Sequence, residues 1–293
     1  MTERPSEYPL GPWELGLEKA FQKLRGRPRH SGLNALRCLR RAWCIAELDP
    51  EMALFRAITA EEEAATALIT ALQIRRYPGA KTLNPWNHAH KAGCSIFLRI
   101  VETVLAEAGF PSPTYRLQDE GPRPRLDVHI RSETLGLPPG YFATPEEPLS
   151  GFMQEGKLGD DDTRVMTFEK QVQRRLVEAG ARDMLALLRA GANLRNELLY
   201  ASDKGITVVK HPDAALIERR RPVSLLLTLT IAILQTPKHQ AFAAQILAAY
   251  LRALGSLLID PFDYSSQMVD QDLTILVEKF AGGQPNATLR RRP

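Results

Sequence analysis

The sequence predicts a mainly α-helical protein built from helix bundles. Apolar residues recur at three- and four-residue steps along several long segments, which is the pattern of the buried face of a helix. A capping residue stands directly before proline at Asp49-Pro50 and Asn84-Pro85, a common way for a helix to begin. The regular alternation of strands and helices that a Rossmann or TIM fold requires is absent.

Composition narrows the class of protein further. The chain has 293 residues, a formal net charge of +4, 44% hydrophobic and 25% charged residues, which excludes a disordered chain, a collagen and a disulfide scaffold. Three cysteines without a Cys-x-x-Cys pair favour a reduced, cytoplasmic setting and no zinc finger. The most apolar run, Val223 to Leu234, spans about 12 residues against the roughly 20 that cross a bilayer. We therefore expect no membrane association and, since no nucleotide-binding motif occurs, no cofactor.

The first half of the chain predicts an arm and three helices. Prolines interrupt residues 1–30, which we expect to be irregular apart from a short helix from Trp13 to Leu24. The next three helices are expected from Ser31 to about Glu47, from Pro50 to about Arg75 and from Asn84 to about Ala108. Residues 31–108 would form an N-terminal bundle.

Residues 109–160 have a different character. They hold eight prolines and seven glycines, which exclude a continuous helix. The alternating run 125–130 predicts a strand, whose partner around Tyr141 and Phe142 is left open. We interpret this segment as a partly β insertion between two helical halves.

The second helical half is expected at residues 161–281, followed by a basic tail at 282–293. Its helices are predicted at 165–179, 182–190, 193–201, 212–220, 222–234, 237–258 and 269–280, with an extended segment at 206–210.

A first candidate site combines Glu61-Glu62-Glu63 with His88, His90 and Lys91. With a rise of about 1.5 Å per residue, Glu63 lies roughly 18 Å from the end of its helix. Unless the connection lets the third helix slide along the second, we expect His88 to lie nearer to Arg75 and Arg76 than to the glutamates, which argues against a Glu–His metal site. The two arginines would then hold phosphate and His88 would carry a proton. The alternative is an acidic solvent-facing surface and a helix end decorated with cations.

Clustered positive charge predicts contacts with nucleic acid. The triplet Arg219, Arg220 and Arg221 is the main candidate, beside a group at residues 25–30 and the tail at 290–292. The alternative is ordinary solvated surface.

A second candidate site is the helical stretch from Asn193 to Ser202, which contains Arg195, Asn196 and Tyr200. This stretch resembles the Arg-x4–6-His motif of HEPN domains, helical bundles of prokaryotic toxins and antiviral defence proteins. The pairs Glu61-Glu62 and His90-Lys91 add to the likeness, to the abortive-infection branch in particular. The resemblance implies metal-independent RNA cleavage at a homodimer interface by Arg195 and Asn196, although Tyr200 stands where the family has histidine. The proton partner would then be Tyr200 itself or a histidine from elsewhere in the chain, His88 or His211.

A third candidate places Asp127 on the predicted strand with Glu155 and Lys157, the order found in Mg²⁺-dependent nucleases. The surrounding glycines predict a loop around Glu155 rather than a strand. The leading expectation is thus an HEPN-like protein that engages RNA. The alternatives are a non-enzymatic helical module that binds a protein partner, and a Mg²⁺-dependent nuclease.

Overall fold

The computed structural model describes residues 10–109, 113–118, 121–129, 142–143, 146–155, 164–201, 205–256 and 262. These residues form a mainly α-helical fold, as predicted. The helices are α1 (Pro12–Lys23), α2 (Gly26–Ile45), α3 (Pro50–Ile74), α4 (His88–Glu107), α5 (Glu169–Glu178), α6 (Met184–Glu197), α7 (Pro212–Gln235) and α8 (Ala241–Ala253), with a short 3-10 turn at Ala80–Thr82. The predicted helix at 269–280 and the basic tail lie outside the described residues.

α2 and α3 form an antiparallel hairpin at the centre of the fold. The Asp49 carboxylate accepts the Met52 N–H at 2.9 Å, so Asp49 caps α3 as predicted. α2 begins five residues earlier than predicted, at Gly26, because Pro28 occupies its first turn, where no intrahelical N–H is required. Ser31 is therefore buried inside the helix instead of capping it.

The connection from α3 to α4 runs back along α3. Gln73 donates from Nε2 to the carbonyl oxygens of Ala80 at 3.2 Å and Leu83 at 2.7 Å. Thr66 Oγ1 lies 3.4 Å from the Pro85 carbonyl oxygen. Thr66 precedes Arg75 by nine residues, which is roughly 14 Å along the helix axis. α4 therefore begins beside the middle of α3 and not beside its end.

The start of α4 is fixed from two sides. The Asn87 side chain accepts the Ala89 N–H at 2.9 Å, so the cap is Asn87 rather than Asn84. From α8, the Tyr250 hydroxyl donates to the His90 carbonyl at 2.9 Å. Gly93 permits this approach, since a Cβ there would lie 2.0 Å from the Tyr250 hydroxyl oxygen.

α7 joins the two predicted halves into one packed unit. It is a single helix through Pro222, where two helices were predicted, because buried residues on both sides of the proline hold it in place against α3 and α2. One continuous hydrophobic core includes residues of each of the eight helices described above, among them Leu17, Leu36, Ile69, Phe97 and Leu227. α6 is likewise continuous across residues 190–193, where two helices were predicted.

Small sheets occupy the middle of the chain. β1 (Thr114–Gln118), β2 (Arg125–His129) and β3 (Phe142–Ala143) form an antiparallel sheet in that order, and β4 (Gln154–Glu155) pairs with β5 (Arg164–Val165). The predicted strand is confirmed as β2, and Phe142 does lie in its partner, opposite His129. Residues 206–210 form no strand, and the Val209 N–H is bound by the Glu51 carboxylate at 2.9 Å.

Candidate functional site: a carboxylate shared by three bases

The three consecutive glutamates of α3 face three different neighbours. Successive helical residues point about 100° apart, so one face cannot hold all three. Glu61 pairs with Arg219 of α7 at 2.7 Å, and Glu62 faces α4 and α6. Glu63 lies toward Cys38 of α2, whose thiol pKa is raised by burial and, to a smaller extent, by the Glu63 charge. The expected acidic solvent face is therefore wrong, because Glu61 and Glu62 are buried.

Glu62 is shared by three basic side chains. Its Oε1 lies 2.8 Å from His88 Nδ1, and its Oε2 lies 3.0 Å from Lys91 Nζ and 3.5 Å from Arg195 Nη1. We call Glu62, His88, Lys91 and Arg195 the Glu62 cluster. The expectation that His88 lies near Arg75 and Arg76 is wrong, because the returning connection carries the start of α4 to Glu62.

His88 is the part of the cluster most open to solvent. Its side chain is 50% exposed, whereas those of Glu62 and Lys91 are each 10% exposed. An ionised carboxylate only accepts hydrogen bonds, so the Glu62 contact places the imidazole proton on Nδ1. Nε2 then carries the lone pair, as a general base requires.

Arg195 lies across the His88 ring. Its Nη1 is 3.3 Å from Nδ1 and 3.4 Å from Nε2 of His88, and its guanidinium carbon lies 4.7 Å from the Phe55 ring centroid. The last turn of α6 carries this residue, and the Asp183 cap and the buried Leu188 fix that helix. With its side chain 29% exposed, the guanidinium keeps donors available to a ligand.

Asn196 and Tyr200 lie outside the Glu62 cluster. Asn196 is exposed in the last turn of α6, and the Tyr200 N–H donates to its carbonyl at 2.9 Å. The Tyr200 side chain is exposed just beyond the helix. The structure brings Arg195 together with His88 and with neither of these two residues.

Arg75 and Arg76 are at the far end of α3. Arg75 donates from Nη2 to the Leu234 carbonyl, and its own carbonyl accepts a bond from His239 Nε2 at 2.8 Å. Burial, and after it the Arg123 charge, lowers the Arg75 pKa. The predicted group of Arg75, Arg76 and His88 therefore does not form.

The arginine triplet of α7 is dispersed over three neighbours. Arg219 pairs with Glu61, Arg220 Nε lies 3.3 Å from Glu14 Oε1, and Arg221 Nη2 lies 3.0 Å from Glu102 Oε1. The three side chains point in different directions for the same reason as the glutamates. Arg219, Arg220 and Arg221 therefore do not form one basic surface, and their contact with nucleic acid stays a prediction.

The residues of the metal-nuclease candidate lie on separate sheets. Asp127 is buried on β2 and accepts a bond from Gln118 Nε2. Glu155 lies on β4, not in the expected loop, and faces Arg164 at 3.9 Å, while Lys157 lies outside the described residues. In the part of the chain that the structure describes, no three His, Cys, Asp or Glu side chains converge as metal ligands would.

An apolar cavity of about 310 Å³ lies between α4, α7, α8 and the small sheets. Leu98, Leu126, Phe152, Leu229 and Phe242 line it, together with the Glu102–Arg221 pair. Its walls lack the convergent acid, base and cation of the Glu62 cluster, so it is the weaker site for chemistry.

Comparison with known proteins gives no match, whether with protein-family models, curated protein sequences or solved structures. None of the described helices combines the length and apolarity needed to cross a membrane. The chemistry of the Glu62 cluster is thus the basis on which function can be proposed.

Proposed function

We propose that the chain engages RNA at the Glu62 cluster and cleaves it without a metal ion. The observation that carries this proposal is the placement of a half-exposed imidazole between a carboxylate and a guanidinium. His88 Nδ1 lies 2.8 Å from Glu62 Oε1, and Arg195 Nη1 lies within 3.4 Å of both ring nitrogens. A base, a residue that orients it and a cation are the parts that phosphodiester cleavage needs.

The charge of the cluster favours a phosphate. Three basic side chains share one carboxylate, so Lys91 and Arg195 leave a surplus of positive charge even with His88 neutral. That surplus lies beside the solvent-open edge of His88. A phosphodiester arriving there would meet donors already held in position.

The reaction follows from this arrangement. Arg195 Nη1, which lies 3.4 Å from His88 Nε2 in the free protein, turns to the phosphate. Nε2 then takes the proton of a ribose 2′-hydroxyl, and the 2′-oxygen attacks the adjacent phosphorus. The bond from phosphorus to the 5′-oxygen breaks, and water protonates the departing oxygen. Arg195 and Lys91 stabilise the charge on the phosphoryl oxygens, and Glu62 stabilises the imidazolium. The products are a 2′,3′-cyclic phosphate and a 5′-hydroxyl.

The test is RNA cleavage in excess EDTA. We expect His88→Ala and Arg195→Ala each to reduce the rate about 10²- to 10⁴-fold, the usual range for lost acid–base or charge stabilisation. Arg189→Ala is the matched control, because Arg189 is exposed on the same helix as Arg195. DNA of the same sequence should remain intact, since it lacks the 2′-hydroxyl.

Two results would contradict the proposal. One is cleavage that survives in His88→Ala but is lost in His211→Ala. The other is cleavage that requires Mg²⁺ and is lost in Asp127→Ala, which would favour the metal-dependent alternative. The HEPN-like defence or toxin role depends on the resemblance of Arg195 and Asn196 to that family, and it stays part of the proposal.

A second candidate is a non-enzymatic helical module that binds a protein partner, with a second copy of the chain as the simplest partner. The observation in its favour is a run of exposed apolar side chains after α6, namely Leu199, Tyr200, Ile206 and Val208. Light scattering after gel filtration would show a dimer that Ile206→Ser converts to monomer. A monomeric wild type at all concentrations contradicts the homodimer.

A further inference from the structure

Trp86 precedes His88 of the Glu62 cluster by two residues and carries an exposed aromatic side chain. It is 72% exposed, although large aromatic residues are mostly buried on average. The guanidinium carbon of Arg27, from the first turn of α2, lies 3.8 Å from its ring centroid. A ring covered on one face by arginine reaches this exposure only if its other face is largely open.

The backbone on both sides of Trp86 is held in place. Its N–H donates to the Asn84 side chain at 2.9 Å, and Asn87 directly after it caps α4. Pro85 before it has a fixed φ angle. The indole is therefore presented from a rigid turn, which lowers the entropy lost when a ligand stacks on it.

Trp86 is also close to the proposed chemistry. It precedes His88 by two residues, so their Cα atoms are at most about 7.6 Å apart at 3.8 Å per residue. A polymer whose phosphodiester lies at His88 would bring an adjoining unit to the indole.

We propose that Trp86 and Arg27 form a stacking site for an unpaired nucleobase next to the phosphate held at the Glu62 cluster. This inference rests on the proposed function and narrows its substrate to single-stranded RNA. The base lies on the open face of Trp86, while Arg27 covers the other face and strengthens the stack by a cation–π contact. A base paired inside a duplex cannot present its face to the indole.

Binding measurements separate this inference from cleavage. The probes are a fluorescein-labelled single-stranded 2′-O-methyl RNA, which lacks the nucleophilic hydroxyl, and the same strand fully paired with its complement. We expect Trp86→Ala to weaken binding of the single strand about tenfold, which is within the range for losing one base stack. Trp86→Phe should retain most of the affinity, and neither variant should change duplex binding.

Matched controls and salt distinguish stacking from charge. Leu48→Ala removes another exposed apolar side chain, at the opposite end of α2, and should leave binding unchanged. The effect of Trp86→Ala should be equal at low and high KCl, because stacking releases no counterions. Arg27→Ala should weaken single-strand binding, whereas Arg41→Ala, a change of the same charge at an exposed position later in α2, should not.

The outcomes are decisive for each proposal. Unchanged single-strand affinity in Trp86→Ala, or equal loss for strand and duplex, overturns the stacking site even if His88-dependent cleavage is observed. Trp86-dependent binding without any RNA cleavage supports the stacking site and overturns the proposed function. A wild type that binds neither probe overturns both.

Discussion

Glu61 and Glu62 are neighbours on one helix and are buried alike, at 7% and 8% exposure, yet their surroundings differ in kind. Glu61 pairs with Arg219 at 2.7 Å, so its negative charge is balanced by a single positive charge. Glu62 meets three bases, one of which is half-exposed. The first arrangement is complete without a ligand, whereas the second leaves positive charge facing solvent. The two carboxylates are therefore alike in burial and differ in the number and exposure of their partners.

The largest expected effect concerns Glu62→Gln. An amide can offer its NH₂ group to His88 Nδ1 and so favour the wrong tautomer, and we expect cleavage of RNA in EDTA to fall at least about 10²-fold. Glu61→Gln is the control, one residue away. Equal losses in the two variants would show that the cluster has no special role.

The next effect is on stability and concerns Glu61→Ala. Removing one partner of a fully buried pair costs about 3–5 kcal/mol. Because the Arg219 side chain is 26% exposed, we expect a smaller loss of about 2 kcal/mol in the free energy of unfolding by urea. Cleavage per folded molecule should not change. A variant as stable as the wild type would show that solvent replaces Glu61 without cost.

Gln73→Ala tests whether the contact between His88 and Glu62 depends on the connection between α3 and α4. It removes two hydrogen bonds that fold residues 75–87 back along α3. We expect a loss of about 1–2 kcal/mol in unfolding free energy together with a lower cleavage rate, because His88 no longer meets Glu62 reliably. An unchanged rate in the folded variant would show that other contacts suffice to place α4.

The smallest effect is a pH dependence at His90, two residues from His88. Burial lowers the His90 pKa, and its Nδ1 accepts the Asn84 N–H at 2.9 Å. A lowered folded pKa means that the unfolded chain binds the proton more readily. Stability is therefore present above about pH 6.5 and is lost as the pH falls through the folded pKa.

His90→Gln removes the pH dependence that His90 contributes, since the glutamine amide oxygen can accept the hydrogen bond from the Asn84 N–H without titrating. We expect the drop in unfolding free energy between pH 7.5 and pH 5 to be smaller than in the wild type by less than about 1 kcal/mol. His30→Gln, at an exposed position in α2, should show the wild-type drop. A wild-type-sized drop in His90→Gln would assign the effect to other groups.

Local signals in the sequence predicted local structure well. Asp49-Pro50 located the start of α3, and the alternation at 125–130 located β2, because a cap and a strand period depend on neighbouring residues alone. Pro222 was misleading, since the burial of α7 on both sides of the proline outweighs one lost hydrogen bond.

The candidate site depended on distant contacts and was predicted only in part. Arg195 and His88 were each identified, but their meeting depends on the path of the connection from α3 to α4, which no periodic pattern reveals. Glu62, His88 and Lys91 were grouped as a first candidate site, but the distance along α3 was expected to separate them, because the return of the connection along α3 was not foreseen. The prediction took Asn84 as the cap of α4, whereas the cap is Asn87, directly before His88. A second capping residue at this position was the local signal that the sequence analysis missed.

The dispersed arginines of α7 have a mechanical consequence. Arg219, Arg220 and Arg221 reach α3, α1 and α4 in turn, and the Glu14 carboxylate also accepts the Gly11 N–H at 2.8 Å and the Ser224 hydroxyl at 2.6 Å. A slip of α7 by one residue would turn it by about 100° and separate all three pairs at once. Three adjacent charges that pair with three different helices thus fix the rotation of α7 about its own axis.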